Sequence, residues 1–88
     1  MTFVGGFSQP KKPSQEELQI LHQHRGEIQL EIGCQLEQAE VISHSIQIVA
    51  GTNHKYMVKR GEQQFEVVIF LPLPHTGESS QLSGVRKL

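Results

Sequence analysis

At Gly33 the spacing of apolar residues changes from about 3.6 to about 2, which restricts the chain to a helix followed by paired strands. Upstream, Ser14 suits an N-cap and Glu17, three residues on, completes a capping box, with Glu16 also favourable in the first turn. Leu18, Leu21, Ile28 and Ile32 then follow helical spacing and form one apolar stripe. Arg25 interrupts that stripe, and Gly26 costs about 1 kcal/mol relative to alanine inside a helix. Gly33 fits a C-terminal stop, so the spacing predicts a helix over 15–32.

Downstream, Ala39, Val41, Ser43 and Ser45 alternate with Ile42, His44, Ile46 and Ile48, a strand running into a hairpin whose return covers 52–60. Arg60-Gly61-Glu62 forms a turn, after which Phe65, Val67, Ile69 and Leu71 alternate with Glu66, Val68 and Phe70. Pro72 and Pro74 lack a ladder donor and end that strand. Residues 81–87 suit a last edge strand, and residues 2–9, ahead of Pro10 and Pro13, an extended arm or short first strand. The expectation is an α+β fold: a four- to five-stranded antiparallel sheet wrapped around one helix, in a single domain over 1–88.

With 88 residues and 36% hydrophobic content, a chain of this size buries only about 60 to 65% of its unfolded surface. Disulfides often reinforce such domains, yet the one cysteine, Cys34, cannot form an internal bridge. A reducing compartment is therefore expected. No secretory leader pattern, no apolar run near 20 residues and no glycine at position 2 is present, which gives a cytoplasmic expectation without membrane contact. The formal net charge of −1, with Lys11-Lys12 and Arg86-Lys87 as pairs rather than patches, gives no electrostatic reason to expect nucleic acid.

The five histidines and Cys34 raise a metal or thiol chemistry. His22 and His24 stand two apart on a helix and face different directions, and the chain contains no aspartate. No metal or cofactor is expected, and the histidines read as solvated surface residues. Cys34 paired with His44 or His54 lacks a preorganised cleft, so it reads as a structural or incidentally oxidisable thiol, and the chain as a non-enzyme.

Gln47-Ile48-Val49-Ala50-Gly51 is unlike an ordinary turn. Turns are normally built from Gly, Asn, Asp, Pro and Ser, so an apolar hairpin tip suggests a surface meant to be covered. Leu73-Pro74-His75 forms a second apolar tip, and Phe3-Val4-Gly5-Gly6-Phe7-Ser8 precedes the helix.

These three elements, in this order, resemble the cystatin superfamily, with wording nearest its intracellular branch, the stefins. The resemblance covers nearly the whole chain, thins through the helix and fails at the end. It implies the cystatin fold and reversible inhibition of papain-like cysteine proteases such as cathepsins by a wedge entering the active-site cleft. On that reading Gly5 lies near the protease's reactive cysteine, Val4 and Phe3 fill apolar subsites, and Gly6 belongs to the same protease-binding arm. Gln47, Ile48, Val49, Ala50 and Gly51 form the first contact loop, and Leu73, Pro74 and His75 the second. Gly51 supplies angles closed to other residues, and β-branched Val49 is a candidate for strain. A monomer is implied, with a domain-swapped dimer as the open alternative. The rival reading is a non-inhibitory cystatin-fold module that binds another protein. The sequence departs from the stefin pattern in Arg25 and Gly26, in the weakly apolar Ser83-Gly84-Val85-Arg86, and in lacking the usual C-terminal tail.

Overall fold

A computed structural model describes residues 6–88. Two short helices, α1 (Gln15–His22) and α2 (Arg25–Ile32), precede four strands: β1 (Glu40–Val49), β2 (Gly51–Arg60), β3 (Gln63–Leu71) and β4 (Gln81–Lys87). The strands form one antiparallel sheet in the order β1-β2-β3-β4. This is a cystatin-like fold. Its strand ranges follow the alternation read from the sequence within a residue or two.

The helical layer departs from the expected continuous helix over 15–32. The Ser14 capping box forms, with the Ser14 side chain accepting from the Glu17 amide and the Glu17 carboxylate accepting from the Ser14 amide. The helix then breaks at His24, whose φ and ψ of −111° and 16° are non-helical. The His24 amide donates to Leu21 three residues back, at 3.1 Å, instead of continuing the four-residue ladder. Ser80 braces the break: its hydroxyl donates to the Gln23 side chain at 3.2 Å and lies 2.9 Å from Nε2 of His24. Arg25 points outward to Glu37 at 3.3 Å. The change of direction keeps Leu21, Ile28 and Ile32 on the sheet despite the poor helix formers between them. Gly33, at φ 80°, caps α2.

The core joins these residues and Leu36 to Tyr56, Val58, Phe65, Val67 and Ile69 from the sheet. A second departure lies in β1. The register shifts between Val41 and Ser43, leaving Ile42 without a partner and exposed. This bulge turns the alternation over. Val41 faces the core before it, and His44 and Ile46 share the Tyr56 face after it.

The arm forms no continuous strand among the described residues, but Ser8 and Lys11 bind the outer edge of β1. The Ser8 amide donates to the Ile46 carbonyl at 2.8 Å, and Lys11 and His44 exchange backbone hydrogen bonds of 2.9 and 2.7 Å. No helix among the described residues is long and apolar enough to cross a membrane.

Candidate functional site

The register brings two loops and the arm to one end of the sheet. Gln47 pairs with Asn53, Ile48 with Thr52 and Val49 with Gly51, so the chain reverses at Ala50. Because Thr52 pairs with Leu71, the segment leaving β3 emerges beside this tip. The arm is antiparallel to β1: Lys11 lies opposite His44 and Ser8 opposite Ile46, so it runs toward the same end as one passes back to Gly6. Gly6 is exposed. Phe3, Val4 and Gly5 lie outside the described residues.

The tip is exposed, apolar and braced from below. Ile48 is 64% exposed and Val49 43%, although nonpolar side chains of this size gain by leaving water. Beneath them the Asn53 side chain donates to the Gln47 side chain at 2.8 Å. Gln47 is half-buried and thus a brace more than a contact. Gly51 is buried, takes φ 125° and lies under the Phe70 ring. Val49 keeps an ordinary negative φ, since no non-glycine residue among those described is positive, so the expected strain is absent there.

The second loop is equally constrained. Pro72 is buried where β3 ends, and Pro74–Thr76 form a single 3-10 turn with the proline first. The Thr76 hydroxyl donates to the Leu73 carbonyl at 2.8 Å. Leu73 is 40% exposed, and Pro74 and His75 are exposed. Sequence reasoning missed the supporting residues Asn53, Phe70, Thr76 and Ser8. Only the symmetric flanking of the tip by Gln47 and Asn53 offered a signal for one of them.

The histidines divide into two sets. His22 and His75 are exposed as expected, whereas His44 and His54 are buried, at 5% and 8%, and His24 is half-buried against Ser80, correcting the surface expectation for these three. Nε2 of His44 lies 2.8 Å from Nδ1 of His54, and Nδ1 of His44 lies 3.3 Å from Glu17. Tyr56 packs against His44 and donates its hydroxyl to the Glu17 carbonyl at 2.6 Å. Burial pushes His44 below the ordinary histidine value, and burial together with its neighbour does the same to His54. Hydrogen bonding from the Ser14 amide lowers Glu17. Among the described residues no group of three His, Cys, Asp or Glu side chains could hold a metal ion. Cys34 is unpaired and half-buried against the core.

No family model matches the chain, and no curated protein matches it. Among solved structures it is similar to a secreted type 1 cystatin from Fasciola hepatica, at 28% sequence identity and a TM-score of 0.77, with 97% of each chain covered. The likeness covers nearly the whole of both chains and supports a place in the cystatin superfamily.

Proposed function

We propose that the protein is a reversible, competitive inhibitor of papain-like cysteine proteases of the cathepsin type. It acts as a wedge and performs no chemistry itself. The observation that carries this reading is the shared end of the sheet, where an exposed apolar tip, a rigid Leu-Pro loop and the approach of the arm converge. Burying Ile48, Val49 and Leu73 in a cleft is worth roughly 1.5 to 3 kcal/mol each when complete. The Gln47–Asn53 hydrogen bond and the turn at Thr76 hold both loops before binding, which reduces the ordering cost of association. Val4 and Phe3 extend the wedge into apolar subsites, and Gly5 and Gly6 pass the protease's nucleophile without side chains. The similarity to a cystatin supports the same reading.

The protein is a monomer in this reading, and its lone unpaired cysteine favours a reducing cytoplasmic setting. The similar Fasciola protein is described as secreted, so fractionation of the source cells is the deciding measurement. A titration against papain tests the inhibition. Competitive inhibition with serine and aspartic proteases unaffected is expected, and no inhibition at micromolar protein removes the proposal.

A second reading, a non-inhibitory cystatin-fold binding module, draws support from Gly51. Its packing under Phe70 requires glycine whatever the protein binds, so its presence does not by itself argue for inhibition. Val49 has no such structural duty and separates the two readings.

A further inference from the structure

His44 and His54 stand at the base of the proposed contact hairpin, His54 three residues beyond Gly51 on the return strand. His44 also holds the arm, through both backbone hydrogen bonds to Lys11, and faces Glu17 in the first helix. Three segments thus meet at one imidazole pair. We propose that this pair is an acid-sensitive latch: its second proton breaks the His44–His54 contact and loosens the arm and hairpin together, weakening the grip on a bound protease. The effect on the protease rests on the inhibitor reading; the latch does not.

The proton count follows from the geometry. With both rings neutral, His44 donates from Nδ1 toward the Glu17 carboxylate, an acceptor, and His54 donates from Nδ1 to Nε2 of His44. Nε2 of His54 then remains buried without a partner among the described residues. One added proton is accommodated: it lands on the free Nε2 of His54 while the shared proton passes from Nδ1 of His54 to Nε2 of His44, whose imidazolium then donates both to Glu17 and to His54. A second leaves two N–H groups facing each other across 2.8 Å, with one carboxylate to offset two charges in a poorly hydrated site.

Among the described residues the surroundings add no further acceptor charge. Lys11 and Lys12, from the arm, line the same recess as Glu17 and His44 and bring no negative charge to it. Tyr56, from β2, keeps its proton, and β3 presents apolar Ile69 opposite His54. Because burial depresses both histidines, the unfolded chain binds more protons below pH 6.5. The pair's contribution is therefore present above that pH and lost as the pH falls through the folded values.

Long-range nitrogen NMR of the imidazoles and amide exchange at Ser8, Lys11 and Ile46, followed from pH 7.5 to 5, test the latch. Exchange corrected for its intrinsic rate is expected to rise about tenfold for each unit of depression, in step with imidazole protonation. In His54→Leu, or in His54→Gln should the leucine variant not fold, the rise is expected to vanish. Imidazoles that take up both protons without faster exchange overturn the proposal, as does an unchanged pH profile in both variants. Dissociation from papain is measured at pH 7 and 5.5 for the same proteins. Acid-accelerated release in the wild type alone supports the link to binding, and equal acceleration in the variants overturns it. Failure to inhibit at pH 7 removes the inhibitor reading and leaves the latch to be judged on exchange.

Discussion

Gly51 lies so close beneath Phe70 that a Cβ there would stand 2.8 Å from two carbons of the ring and 2.7 Å from the Leu71 carbonyl oxygen. The tip of the first hairpin is thereby locked to the end of β3, and position 51 serves folding as well as contact. The backbone angle of Gly51 and its packing against Phe70 together exclude a side chain at this turn.

Gly51→Ala is therefore expected to lower stability by about 1 to 3 kcal/mol, through backbone strain at φ 125° and displacement of Phe70. Val49→Asp, on an exposed side chain, is expected to change stability by no more than about 0.5 kcal/mol while abolishing papain inhibition, because a desolvated cleft strongly disfavours an unpaired charge. Thermal melts run beside papain titrations separate the effects. Normal inhibition by folded Val49→Asp transfers the case to the binding-module reading.

Deleting residues 1–5 is expected to weaken inhibition without unfolding the domain, since the described anchors of the arm, Ser8 and Lys11, remain. Loss of Phe3 and Val4 should quicken dissociation more than it slows association. Stopped-flow kinetics with papain provide the check. An unchanged inhibition constant shows that the arm contributes no contact.

Tyr56→Phe removes the 2.6 Å hydrogen bond to the Glu17 carbonyl and is expected to cost about 0.5 to 1.5 kcal/mol. The variant should also alter the alkaline limb of stability. Burial raises the Tyr56 pKa above its ordinary 10, so the wild type loses stability as the pH rises beyond that value while Tyr56→Phe has no such component. Urea denaturation between pH 8 and 11 measures both.

Cys34→Ser is expected to leave inhibition unchanged and to reduce stability only slightly, because the side chain is half-buried at the edge of the core and belongs to neither loop. A folded serine variant that no longer inhibits papain restores a role for the thiol.

Strand β3 was legible because Phe65, Val67 and Ile69 alternate without interruption and Pro72 stops the ladder where the sheet ends. β1 was only half legible. Apolar residues occur on both sides of Ile42, so the alternation looks continuous and hides the bulge that decides which side faces inward. His44 and His54 could not be read as buried, because a histidine's burial depends on partners ten residues apart that meet only across a register. The break between α1 and α2 is braced by Ser80, distant in the chain, whereas the capping box at Ser14 was readable because all its atoms are local. At the candidate site the tips were visible as misplaced apolar residues. Their braces, Asn53 and Phe70, act through pairing and packing that no local pattern encodes.

The division of the helical layer into two segments of eight residues bears on the order in which the molecule assembles. Isolated helices shorter than about 12 to 15 residues are marginal in water, so neither segment is stable before a surface receives it. The β2-β3 hairpin closes over only two residues, Gly61 and Glu62, so its strands meet at a small loop-closure cost without help from the helices. On this basis substitutions at Val58 or Phe65 slow refolding, whereas truncating Leu21 or Ile32 chiefly speeds unfolding. On that order the two helices condense on a sheet that has already begun to form.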